Sequence, residues 1–240
     1  KAAGIDLGST ANNHSGDFGE ACRRETEAAL DGQGIVWSGP PGSIGSTTVK
    51  GKKVALIAFH TSGATNDVND LPTAKKLVTQ AAATHDLVIV SFHGGAEGLG
   101  ADRVKDGAEK YLGENRGDLT SFAHGVIDAG ADVVIGHGPH LLRAMELYQG
   151  HLIAYSLGNF ATYGRFSLGG ALGVSVILEV ELGDDGRFVT GRVLSTKQEG
   201  KGVPMRDDTK RGQKAIAELS ARDFPKTGVK VSDDGVLSAR

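Results

Sequence analysis

Leu87-Val88-Ile89-Val90-Ser91-Phe92-His93-Gly94-Gly95 reads as a strand that is apolar almost without interruption and ends on a histidine and two glycines. A strand with no polar alternation is covered on both faces, as in a parallel sheet packed between other layers. The same pattern recurs on either side. Upstream, Val54-Ala55-Leu56-Ile57-Ala58-Phe59 is continuous rather than alternating, and downstream Val133-Val134-Ile135-Gly136 runs into His137. Between these strands lie two helical stretches. One covers 71–84, with Pro72 acceptable in its first turn. The other covers 118–129, where Leu119, Phe122, Ala123, Val126 and Ile127 recur at spacings of three and four. Alternating strand and helix predict an α/β fold.

Working outward, residues 4–10 read as a strand and 18–33 as a helix, with Ala21, Ala28, Ala29 and Leu30 suited to it and Gly32 and Gly34 ending it. Residues 35–39 are a short apolar run. Lys1-Ala2-Ala3-Gly4 reads as the tail of a helix already in progress, so the sequence is expected to start inside its domain. Beyond Pro139 the pattern turns antiparallel. Residues 145–148 and 151–156 flank Gln149-Gly150, and 172–182 and 187–195 flank Gly183-Asp184-Asp185-Gly186. Residues 209–222 suit a final helix, while 200–208 and 224–240 are polar and weakly patterned and are assigned no chemistry. The expected organisation is one domain over 1–199 and an extension, 200–240, packed on it.

The 240 residues can bury a substantial core without crosslinks, and the single cysteine, Cys22, excludes a disulfide framework or a cysteine-rich zinc site. A metal would have to be held by His, Asn, Asp or Glu, and eight histidines are present. With 26 basic and 29 acidic residues the formal net charge is -3, which gives no global attraction to nucleic acid. No apolar run approaches the roughly 20 residues that span a bilayer.

In an α/β sheet ligands bind beyond the carboxyl ends of the strands. His93 follows one apolar strand directly, His137 follows another, and Asn12-Asn13-His14 comes shortly after the strand at 4–10. Imidazole and carboxamide oxygen both suit borderline divalent metals, and Gly94, Gly95, Gly136 and Gly138 let the backbone approach an ion. His137 and His140 are separated by Gly138-Pro139 and would have to converge from a loop. A lone histidine after a strand is more often a hydrogen-bonded loop residue than a ligand, and His60, His85, His124 and His151 are left in that class.

Four segments together resemble the CapA-like poly-gamma-glutamate capsule synthesis family. They are Ala11-Asn12-Asn13-His14, His93-Gly94-Gly95-Ala96-Glu97, Gly136-His137-Gly138-Pro139-His140 and Tyr155-Ser156-Leu157-Gly158-Asn159-Phe160. The resemblance implies a calcineurin-like metallophosphoesterase fold, a layered sheet sandwich flanked by helices. The family's front, a strand ending in Gly-Asp and an Asn-Leu-Glu segment, has no counterpart here, so the fold is expected to lack its N-terminal strand or strands. An aromatic residue commonly follows the first histidine where Gly94 stands.

What the resemblance implies for the site is one or two divalent ions (Mn, Zn or Fe) held by Asn13, His93, His137 and His140, with His14 as the acid or phosphate-binding group. Asn12, Asp17, Glu97 and Asn159 follow as second-tier candidates. The implied function is metal-dependent hydrolysis of a phosphoester or gamma-glutamyl amide in poly-gamma-glutamate or cell-envelope polymer synthesis. The alternative is a non-catalytic component that binds an anionic polymer. Membrane-bound capsule synthesis partners and an extracytoplasmic or membrane-associated location also follow from the resemblance. A nucleotide-binding loop is disfavoured, since neither 94–100 nor 169–173 completes a phosphate-loop pattern, and no Gly-x-Ser-x-Gly elbow supports a serine hydrolase.

Overall fold

The computed structural model describes residues 1–164 and 167–240. In chain order the first elements are β1 (Leu7–Ser9), α1 (Gly19–Gly32), β2 (Val36–Ser38), β3 (Gly45–Val49), β4 (Lys52–His60) and β5 (Asn66–Asp67). Next come α2 (Leu71–Ala82), β6 (Leu87–His93), β7 (Lys110–Tyr111), β8 (Glu114–Asn115), α3 (Leu119–Asp128) and β9 (Val133–His137). The chain continues with β10 (Met145–Tyr148), β11 (His151–Ala154), β12 (Val174–Leu182) and β13 (Phe188–Glu199). It finishes with β14 (Val203–Arg206), α4 (Arg211–Asp223), β15 (Lys230–Val231) and β16 (Val236–Ser238).

The main sheet has the order β10-β11-β9-β6-β4-β3, with β5 beside β4. Its centre, β4, β6, β9 and β11, is parallel, and β3 and β10 are antiparallel additions. One face carries α2 and α3. Leu77, Val78 and Ala81 of α2 and Phe122, Ala123 and Val126 of α3 bury against Ile57, Phe59, Val90 and Phe92. The other face packs on a second, antiparallel sheet, β12-β13-β16-β15 with β14 beside β13. Val133, Met145, Leu152, Val176, Val193 and Ile216 of α4 form that second core. The result is the expected α/β sandwich of layered sheets with flanking helices.

Local chemistry sets the boundaries. Asp70 accepts from Thr73 N–H at 3.1 Å and Asp118 from Ser121 N–H at 3.0 Å, capping α2 and α3, each cap worth about 1 kcal/mol. Two further aspartates join strands where they enter the sheet. Asp86 N–H donates to Lys53 O while its carboxylate accepts from Lys53 N–H at 2.7 Å. Asp132 does the same with Val88, accepting from its N–H at 2.6 Å.

Several boundaries differ from the sequence reading. Lys1 to Gly4 form a turn, closed by Gly4 N–H to Lys1 O, in place of a helix end. β1 is three residues long and, among the described residues, pairs in parallel with β2 alone. α1 forms where expected but buries no residue. β3 was not anticipated, and the polar tail contributes β14 and β16 to the second sheet through β13. No helix among the described residues is long and apolar enough to cross a membrane.

Candidate functional site

The parallel register aligns three histidines. His60, His93 and His137 are opposite one another at the carboxyl ends of β4, β6 and β9. The ring centroids of His60 and His93 are 5.5 Å apart, and those of His93 and His140 are 6.5 Å apart. Close packing shapes the turn that follows. A Cβ on Gly136 would lie 2.3 Å from the Phe92 ring and 2.5 Å from Tyr155 O, and one on Gly138 (φ +127°) 2.3 Å from Gly94 O, so no larger residue fits either position. The tight turn carries His140 round to the same edge.

His140 has a left-handed backbone, φ +62°, which costs an L-residue roughly 1–2 kcal/mol. Asn159 holds it there, donating from Nδ2 to His140 O at 2.9 Å and to Leu172 O at 3.1 Å, while its Oδ1 faces His140 Nδ1 at 2.9 Å. On the opposite side of the ring, Nε2 is 3.6 Å from Glu97 Oε2. The other oxygen of Glu97 is 2.8 Å from Nη1 of the fully buried Arg116.

Asn12 joins the cluster through the turn after β1. Its Oδ1 accepts from His14 N–H at 2.7 Å, which fixes the amide and turns Nδ2 toward His93 Nδ1 at 3.2 Å. His93 Nδ1 is therefore an acceptor and the ring proton sits on Nε2. Asn12, His93, His137, His140, Asn159 and Phe160 help to line a cleft of about 460 Å³. Asn13, His14 and Asp17 do not line it. His14 is exposed, and its Nδ1 meets Asp17 Oδ2 at 2.9 Å.

Burial governs the electrostatics. It lowers the His93 imidazole to about 3, with the nearby charges of His60, Arg116, His137 and His140 adding to it. It lowers His60 to about 4, with Arg116 and His14 adding, and it lowers His137 as well. All three rings are therefore neutral near pH 7, the form in which a histidine binds metal. Among the described residues, His60 Nδ1, His93 Nε2 and Asn13 Oδ1 are buried without a hydrogen-bond partner. Each such atom, if left unpaired, costs about 1–3 kcal/mol, and two of them, on His60 and His93, lie side by side at the carboxyl edge of the sheet.

The fit to a metal is chemical rather than preformed. The donor set is the imidazole, amide and carboxylate mixture that divalent metals take, yet among the described residues no three His, Cys, Asp or Glu side chains already form a cage. Of the residues named from sequence, His93, His137, His140, Glu97, Asn12 and Asn159 come together. Asn13, His14 and Asp17 lie outside the cleft lining, with the Asn13 amide against His14. His60, set aside in the sequence reading, belongs to the row; it ends an apolar strand just as His93 does. Arg116 lies in a polar loop and gave no periodic signal.

The sequence model of the family described as "Bacterial capsule synthesis protein PGA_cap" matches residues 1–163. The chain is 30% identical over 168 residues to the PGA biosynthesis protein CapA of Bacillus subtilis (strain 168), covering 63% of this chain and 41% of that protein. It is 28% identical over 227 residues to the capsule biosynthesis protein CapA of Bacillus anthracis, covering 85% and 51%. The chain thus spans about half the length of these curated relatives. Among solved structures it is similar to a hypothetical protein from Thermus thermophilus, with a TM-score of 0.45, 20% identity and coverage of 85% and 75%.

Proposed function

We propose, for a chain that belongs to the bacterial capsule synthesis family PGA_cap, that the carboxyl edge of β4, β6 and β9 binds one or two divalent metal ions and hydrolyses a phosphoester or gamma-glutamyl amide bond of a cell-envelope polymer. The observation that carries this reading is the in-register row His60, His93 and His137, held neutral by burial and joined by His140 and Glu97. Such a metal would acidify water and polarise the scissile bond. His93, His137, His140 and Asn13 would hold it, with His60 as a further donor. Ligation through His93 Nε2 would require its proton to move to Nδ1, and Asn12 would then turn its amide over to accept it. His14, fixed by Asp17, would reach the leaving group as a proton donor or hold a non-bridging oxygen. Hydrolysis of a phosphodiester or gamma-glutamyl substrate that a chelator stops and added metal restores would support this reading; turnover indifferent to chelation would end it.

A second reading rests on a different observation. His93 Nε2–H and the Nε and Nη2 of Arg116 are buried donors without hydrogen-bond partners among the described residues, and unpaired donors call for an anionic acceptor. In that case the chain binds an anionic polymer without cleaving it. Polymer binding that weakens with salt and proceeds without turnover would favour it.

A further inference from the structure

We infer that a groove on the outer face of the second sheet is a substrate subsite continuous with the cleft, and that it takes an aliphatic stretch of the molecule whose polar group sits in the cleft. The groove itself stands on packing; its link to a polar group bound in the cleft rests on the hydrolase reading.

Side-chain alternation makes the outer face of this sheet polar in one place and apolar in another. On β12, Val176, Leu178 and Val180 pack toward the core, so Ile177, Glu179 and Glu181 face away from it. Glu179 lies opposite Arg192 of β13, as suits a solvated face, but Ile177 lies opposite Leu194. Pro204 and Met205 of β14, together with Phe160, complete an apolar groove of about 230 Å³ beside that pair. Ile177, Met205 and Phe160 are 43%, 47% and 44% exposed. Apolar side chains gathered in water at one place, with charged ones elsewhere on the same face, mark a surface that is covered in use.

What covers it follows from its position. Among the described residues, Phe160 alone lines both this groove and the cleft of His93 and His137. The strand that floors the groove also fixes that ring's backbone. Gln198, buried on β13, accepts at Oε1 from Thr162 N–H at 2.8 Å and from Thr162 Oγ1 at 2.7 Å, and donates from Nε2 to Asn159 O at 2.8 Å. One amide thus holds both ends of the segment 159–162, and Phe160 stands as a partition shared by the two cavities. A ligand whose polar group is held in the cleft meets the Phe160 ring next, and Ile177 and Leu194 beyond it. Methylene groups gain by leaving water there, up to about fourfold in affinity for each one fully buried. The chemistry that fits is therefore a polar or anionic group carried on a flexible aliphatic chain.

The test is calorimetric titration of the chain, with and without Zn²⁺, by ethyl, butyl, hexyl and octyl phosphate, all below micelle formation. Affinity is expected to rise about two- to fourfold per added methylene until the groove is filled. Ile177→Asp and Met205→Asp alter exposed side chains, and a native circular dichroism spectrum checks that they fold. Both should bind ethyl phosphate as the native chain does and lose most of the dependence on length. Octyl phosphate that binds no tighter than ethyl phosphate, or not at all, would overturn the inference, as would the same dependence on length in the two variants. A dependence on length that is identical with and without Zn²⁺ would refute the metal reading and leave the groove standing. Zn²⁺-dependent binding of ethyl phosphate with no gain from a longer chain would refute the groove and leave the metal reading standing. A native chain that sediments as a dimer, and as a monomer in Ile177→Asp, would assign the face to a second copy instead.

Discussion

Where β6 and β9 enter the main sheet, Asp86 and Asp132 each exchange a backbone bond and a carboxylate bond with the neighbouring strand, and the backbone groups they meet are satisfied. Where β4, β6 and β9 leave it, two of the in-register histidines, His60 and His93, each have a buried ring nitrogen with no hydrogen-bond partner among the described residues. Both ends are built from polar side chains at the tips of apolar strands. One end spends its polar groups on holding strands in register; the other leaves them unpaired at a cost of about 1–3 kcal/mol per atom.

Substitutions at the two ends should therefore fail in different ways. The largest effect is expected at the leaving end, where His14→Ala should retain metal yet lose about 10²–10⁴-fold in turnover, and His93→Ala should lose both. Turnover assayed beside bound metal checks the division of labour, and equal metal loss in the two variants would break it. At the entering end, Asp132→Ala removes the acceptor for the buried Val88 N–H. A loss of about 1–3 kcal/mol in denaturant unfolding is expected, with metal binding unchanged.

The pH dependence sharpens the comparison because the two ends have opposite signs. His60 and His93 are depressed to about 4 and about 3, so the unfolded chain binds more protons than the folded one below about 6.5. Their contribution to the stability of the chelated protein should be complete above about pH 6.5 and be lost as the pH falls toward 3. His60→Gln should flatten that decline. Asp132 is raised by burial, so its contribution is present in acid and lost as the pH rises through its folded pKa. Asp132→Asn keeps an acceptor for Val88 and removes the charge. It should be neutral or mildly stabilising at pH 7, by under about 1 kcal/mol, and a fall there larger than in acid would contradict the sign.

The α/β core was legible in the sequence because its strands are continuous apolar runs and its helices have regular apolar spacing. β3, Gly-Ser-Thr-Thr-Val, was not, since an antiparallel edge strand with few apolar side chains has the composition of a loop. β14 to β16 escaped because they are only two to four residues long. β14 and β16 pair with β13, a tertiary partner that no local window contains, and β15 pairs in turn with β16. In the site, His93 and His137 could be read because each closes an apolar strand. His60 closes one too and was missed because it has no glycine-flanked motif beside it. Arg116 reaches Glu97 only through the folding of a long loop, and the hold of Asn12 on His14 and of Asn159 on His140 depends on hydrogen-bond directions that spacing does not encode.

The most direct test of the account is elemental analysis of the protein after incubation with Mn²⁺ or Zn²⁺ and removal of free metal, for the native chain, His93→Ala and Asp132→Ala. One or two ions per native chain, retained in Asp132→Ala and lost in His93→Ala, is the result expected. A native chain that holds no metal, or a His93→Ala chain that holds as much as the native one, would contradict the claim that the carboxyl ends of these strands form a metal site.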